Sequence, residues 1–151
     1  EIVLEGTEDA VDTPGTVWRA YEFRCKPGDP MRRPCVVSPY HERLDWLMWF
    51  AAMSSPERYP WSIHLVWKLL HNDALALSLL ANDPFPASPP KRIRGLLYRY
   101  EFAPAGDPEG RWWKRTRIGT WLPPLSADDE RLRRFLEAHG WASADPPPTS
   151  R

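Results

Sequence analysis

A chain of 151 residues with 42% apolar and 26% charged side chains can bury a real core, which excludes a disordered segment. Its 20 basic residues balance 20 acidic ones, so net charge does not steer it towards nucleic acid or anionic lipid. Nine tryptophans and 18 prolines stand out; proline at about one residue in eight exceeds the usual ~5% and implies short elements joined by rigid connections.

The chain opens on Glu1, directly on a strand-like run. It shows no signal-peptide pattern and no apolar stretch of the roughly 20 residues a membrane span needs. It reads as a piece of a longer protein. Ile2 to Glu5 predicts a short strand turned by Gly6 and Thr7. From Val17 to Cys25, Val17, Arg19, Tyr21 and Phe23 alternate with Trp18, Ala20 and Glu22, which predicts a second strand. Lys26 to Pro39, with four prolines, is an irregular loop. Ser38-Pro39 has the form of a helix start, serine as N-cap and proline at the first helical position. The helix it opens contains eight consecutive apolar residues, Trp46 to Met53. That run is too short to span a bilayer and too apolar all round for a surface helix, so it is expected to be the central core helix.

A second helix is expected from about Trp61, as one piece or as two abutting pieces capped at Asn72, ending at Asn82-Asp83-Pro84. Ile93 to Ala103 and Arg111 to Leu122 predict a β-hairpin across 93–122, with Leu96, Tyr98, Tyr100 and Phe102 on one face. Ser126 with Asp129 resembles a capping box for a helix from Ala127 to His139, which ends at Gly140 with Trp141 folding back. The elements add up to an α+β fold. An antiparallel β-sheet, open or folded as a sandwich, carries an inserted helical segment (39–82) and a C-terminal helix. Residues 1–141 are expected to form one globular domain and 142–151 a flexible tail.

Chemistry is sparse. The chain has no phosphate loop, nucleophile elbow, metalloprotease motif or Cys-x-x-Cys pair. His64 and His71 could share a helix face, but two histidines alone do not make a metal site, so no metal or cofactor is expected. Cys25 and Cys35 could close a loop through Pro27-Gly28-Asp29-Pro30 or remain two thiols. Arg43 and Asp45 lie two apart and cannot face each other on a helix. Each is expected to tie the helix to the Arg32-Arg33 loop, with Trp46 and Trp49 as core residues. An enzymatic alternative would need a polar site near His41, Arg43 and Asp45. The stretch from Lys91 to Arg117 holds eight basic residues against three acids, interleaved with aromatics. A strand with arginines on its solvent face explains that pattern without nucleic acid. Nine tryptophans exceed what a domain of this size buries. Trp112, Trp113 and Trp121, with Tyr98 and Tyr100, are the expected partner-binding residues.

An ordered series of segments resembles a known family. Glu1-Ile-Val-Leu-Glu-Gly-Thr7, Tyr21-Glu-Phe23, Lys26-Pro-Gly-Asp-Pro30, Arg32-Arg-Pro34, Arg43-Leu-Asp-Trp46 and Met48-Trp-Phe-Ala-Ala52 open it. Asn82-Asp-Pro-Phe-Pro86, Pro89-Pro90, Ile93-Arg94, Tyr98-Arg-Tyr100, Trp112-Trp113 and Leu122-Pro-Pro124 continue it. The series is similar to the C-terminal soluble domain of the lipase maturation factor family. The resemblance implies a multi-pass membrane parent that assists folding and assembly of secreted lipases, its client proteins. It places this segment beside the transmembrane part, on the lumenal side of the endoplasmic reticulum, or on the extracytoplasmic side in a bacterial member. It supplies no catalytic residues. It implies an oxidising compartment and hence a Cys25–Cys35 bridge. The expected function is a non-catalytic client-binding or scaffolding domain; the alternatives are an enzyme domain and a purely structural cap on the transmembrane part.

Overall fold

The computed structural model describes residues 1–141, and the expected tail at 142–151 lies outside the described residues. The fold is α+β. Four antiparallel strands, β1 (Ile2–Thr7), β2 (Arg19–Tyr21), β3 (Arg92–Phe102) and β4 (Trp113–Ser126), form one sheet in the order β2-β1-β3-β4. The described strands form a single open sheet, so the sandwich alternative does not hold. Helices α1 (Arg43–Ala51), α2 (Pro60–Leu70) and α3 (Ala74–Ser78) are inserted between β2 and β3, and α4 (Glu130–Ala138) follows β4.

The β3–β4 hairpin matches the alternation read from the sequence, with Phe102 opposite Trp113, Tyr100 opposite Arg115 and Tyr98 opposite Arg117. The second strand is shorter than expected. Past Tyr21 the Glu22 N–H donates to Asn82 Oδ1 at 2.7 Å, and the Glu22 carbonyl accepts from Ala81 N–H at 2.7 Å. Those bonds pull the chain off the sheet edge, and Phe23 pairs singly with Leu80.

The core lies between the sheet and α2. Val66 and Leu69 of α2 are fully buried, in one cluster with Ile2, Leu4, Ile93 and Leu122. Each such aliphatic side chain contributes roughly 1.5–3 kcal/mol by leaving water. Gly6 lets β1 approach this core closely, since a Cβ there would stand 2.6 Å from the buried Phe85 ring. The second helical segment divides in two at Asn72, whose φ is 49°, but the cap is Asp73. Its carboxylate accepts the Ala76 N–H at 2.8 Å and the Lys68 ammonium at 2.8 Å.

Two helix starts differ from the sequence reading. Helix α1 begins at Arg43, not Pro39, with Glu42 at the N-cap position and no side-chain cap bond. The cap of α4 is Asp129, which accepts the Arg131 N–H at 2.9 Å, not Ser126. The end of α4 follows expectation. Gly140 takes φ 68°, and the Gly140 and Trp141 N–H groups donate back to Glu137 and Leu136, both at 2.9 Å, a Schellman closure.

The larger correction concerns α1. It buries only Asp45, Met48 and Ala51, one line at helical spacing, against its neighbours. Trp46 and Trp49 are 46% and 45% exposed and Met53 is 62% exposed, so the apolar run is not a central core helix. A helix of nine residues at the margin of the fold has neighbours on one side only. The aromatic residues on its other side pack on one another in tilted and edge-on contacts, with Trp46 and Trp49 centroids 5.5 Å apart.

Candidate partner-binding surfaces

The expected binding residues separate into the outer half of the β3–β4 hairpin and a core position. At the free end of the hairpin, Trp112 is 44% and Phe102 is 71% exposed. Trp113 is half-buried, stacked on Phe102 at 4.7 Å, and its indole N–H donates to the Arg32 carbonyl at 3.0 Å. The disulfide-closed loop supports this tip from below. The Pro30 carbonyl accepts the N–H groups of Trp112 and Trp113 at 2.9 and 3.1 Å, and the Tyr100 hydroxyl donates to the Gly28 carbonyl at 2.6 Å. Burial pushes the Tyr100 phenol above its ordinary value, with Arg115 partly offsetting it. Tyr98 is half-buried under the Arg115 guanidinium at 4.9 Å, and Arg33 lies over Trp112 at 5.5 Å.

Trp121 is not a surface residue. It is 7% exposed, and its indole N–H donates to the carbonyls of Ala51 at 3.1 Å and Ser54 at 2.8 Å, closing the C-terminal end of α1 onto β4. Phe102, which the alternation places in the row of core-facing residues, is the surface aromatic that sequence reasoning missed. Its signal is position, at the last residue of β3.

A further exposed aromatic surface, which the sequence reading took for core, is the outer side of α1. Cys25 and Cys35 are bridged, with Cα atoms 5.4 Å apart. Asp45 does not pair with Arg32 or Arg33. Its Oδ2 accepts the N–H groups of Cys25 and Lys26 at 2.6 and 2.7 Å, fixing the start of the bridged loop. Arg32 turns instead to the Phe23 carbonyl at 2.6 Å, to the Lys26 carbonyl, and to Glu22 at 3.7 Å. Arg43 is exposed and takes no part in these contacts. The Lys26 side chain is buried at 3% exposure beside Glu1, 3.4 Å away. Burial pulls its ammonium below the usual lysine value, and the carboxylates of Glu1, Glu22 and Asp45 oppose that. The His41 ring lies against Trp46, centroids 4.7 Å apart and tilted by 42°. Asp45 Oδ2 is therefore committed to backbone N–H groups, and Arg43 stands apart from the pocket that His41 and Asp45 line. Among the described residues no group of three or more His, Cys, Asp or Glu side chains could hold a metal ion. No described helix is long and apolar enough to cross a membrane.

The described residues combine an open α+β sheet with an aromatic tip at the end of the β3–β4 hairpin and a second aromatic cluster on α1. Residues 1–123 match the family model described as the lipase maturation factor C-terminal domain, and the chain belongs to the lipase maturation factor family. It is 52% identical to lipase maturation factor 1 of Bos taurus, over 97% of this chain and 27% of that protein. It is 52% identical to lipase maturation factor 1 of Homo sapiens, over 97% of the chain and 26% of that protein. It is 38% identical to lipase maturation factor 2 of Homo sapiens, over 99% of the chain and 21% of that protein. The chain thus spans about a quarter of the length of these curated relatives. No solved structure matches it.

Proposed function

We propose that this chain is a non-catalytic client-binding domain of a membrane-bound lipase maturation factor, contacting secreted lipases during their folding and assembly. The observation that carries the reading is the tip of the β3–β4 hairpin. Phe102 and Trp112 are open to solvent, while Trp113, Tyr100 and the loop at 28–32 hold them in place. Exposed aromatics on a rigid support are the usual anchors of protein interfaces, because they bury much area while losing little rotamer freedom. The bridged Cys25 and Cys35 suit an oxidising compartment, and we place the domain on the lumenal side of the endoplasmic reticulum, next to the transmembrane part of its parent. The family's role as maturation factors, not lipases, supports a non-enzymatic task.

The test is co-purification of the full-length parent with candidate secreted lipases, with and without this domain. Loss of lipase capture on deletion supports client binding. Undiminished capture with a destabilised parent would instead assign the domain a structural task on the membrane part.

A further inference from the structure

Strand β4 bounds the sheet, in the order β2-β1-β3-β4, and its outer edge faces no other described strand. The register fixes which backbone groups that edge presents. The Tyr98 N–H donates to the Glu1 carbonyl at 2.8 Å, and the Tyr98 carbonyl accepts from the Glu1 ammonium at 2.8 Å. Both polar groups of Tyr98 are thus turned towards β1, so Arg117, its partner on β4, turns its own N–H and carbonyl outward. By the same alternation Arg115 and Trp113 point outward too, and the Trp113 N–H is taken by the Pro30 carbonyl at 3.1 Å. Among the described residues no backbone group bonds to Arg115 or Arg117 from outside the sheet. The space beside them is open: every residue from Lys114 to Ile118 is exposed, and a Cβ on Gly119 would meet nothing within 4 Å. Consecutive strand side chains point to opposite faces, so this stretch is bare on both.

A second observation is charge. Lys114, Arg115 and Arg117 lie on this edge strand, with Arg99 next to them on β3. Among the described residues none of the four takes part in a salt bridge. Glu101, opposite Lys114, is the one acid in 98–102 and 113–126. Two copies of β4 laid edge to edge would set these bases against one another, so the charges reject a second copy of this chain. An acidic strand meets both features at once. Its backbone continues the ladder, and its carboxylates face the ammonium and guanidinium groups.

We propose that the outer edge of β4 at 114–118 receives an extended, acidic polypeptide segment as an added strand, bonded to the backbone of Arg115 and Arg117, with its carboxylates on Lys114, Arg115 and Arg117. Backbone pairing demands little of the partner's sequence, so the edge suits a segment that has not yet folded. That the segment belongs to a client lipase rests on the client-binding reading; the chemistry of the edge does not.

The experiment is a titration of the 151-residue chain with a short capped peptide alternating glutamate and valine, followed through the backbone N–H resonances and hydrogen exchange of Arg115 and Arg117. One comparison peptide is N-methylated throughout, which keeps the charge and removes the edge donors; the other carries lysine for glutamate. The expected result is a saturable shift and slowed exchange at Arg115 and Arg117 with the acidic peptide. The N-methylated peptide should bind about tenfold more weakly, in line with the net worth of two backbone hydrogen bonds, and the lysine peptide should not saturate. Added salt should weaken the acidic peptide. Lys114→Glu with Arg117→Glu, both exposed, should keep the melting temperature and weaken the acidic peptide about tenfold. Equal binding of the methylated and unmodified peptides, protection that spares Arg115 and Arg117, or no saturable binding each overturns the proposal. Peptide binding intact in a full-length parent that captures no lipase would sink the client-binding reading alone.

Discussion

Asp45 Oδ2 accepts the N–H groups of both Cys25 and Lys26, at 2.6 and 2.7 Å, so one carboxylate joins helix α1 to the start of the disulfide-closed loop. The N–H groups lie in a largely buried setting, and removing their acceptor leaves them unsatisfied. Asp45→Ala should lower unfolding free energy by about 3 kcal/mol, the scale of hydrogen bonds to a charged group plus an orphaned donor. Asp45→Asn keeps an oxygen for the same donors and should cost about 1 kcal/mol. Denaturant midpoints of the two variants check the difference.

The bridge itself constrains the unfolded chain. Cys25 and Cys35 are 10 residues apart, and a loop of that order contributes about 3 kcal/mol in the chain-entropy account. Replacing both with serine should lower stability by about 2–3 kcal/mol. It should also speed hydrogen exchange at the Trp113 N–H, which is held by the Pro30 carbonyl inside the bridged loop at 3.1 Å. Exchange that quickens elsewhere but not at Trp112 and Trp113 would separate the loop from the support of the tip.

Two tryptophans of the hairpin should respond in opposite ways. Trp121→Ala removes a buried ring and the donor to Ala51 and Ser54, and should cost about 3–5 kcal/mol. Trp112→Ala removes a half-exposed ring and should change stability by no more than about 0.5 kcal/mol. Thermal melts of the two variants decide whether the division into core and surface is right.

That division was only partly legible in the sequence. Strand β1, the β3–β4 hairpin and the C-terminal closure at Gly140 rest on local signals, alternation and a left-handed glycine, and these elements are present, although β1 continues through Gly6 and Thr7 where a turn was expected. Trp112 and Trp121 lie nine residues apart in similar company, and nothing local tells them apart. Trp121 is buried because the last turn of α1 comes to rest on it, a contact 70 residues distant in sequence. The same limit applies to Trp46 and Trp49. An apolar run without a polar face records composition but not which side has neighbours. Asp45 ties α1 to the chain at Cys25 and Lys26 and not to Arg32 or Arg33, and its partners are backbone groups, which leave no mark in the sequence.

Acid should loosen the packing of α4 on α2 through His64. Its ring stacks on Trp141 at 4.9 Å, beside Trp67 at 6.1 Å, and His139 also stacks on Trp141, at 4.9 Å. Burial holds the His64 imidazole below its ordinary value of 6.5, with Lys68 acting the same way and Asp73 opposing. The folded state therefore favours the neutral ring. Above pH 6.5 neither state is protonated and the full stability is present. As pH falls below that value the unfolded chain takes up the proton first, and stability declines until the lowered folded value is passed. The melting temperature should fall on going from about pH 7 to pH 5.5, and His64→Gln should flatten that slope. An unchanged slope in the variant would remove His64 from the account.

The central claim is that the aromatic tip engages client lipase, and one measurement reaches it most directly. Full-length parent carrying Phe102→Ser and Trp112→Ser should keep its melting temperature and expression level but capture secreted lipase at least about tenfold less well, as expected for loss of interface anchors. Capture at the unsubstituted level by the stable double variant would contradict the claim.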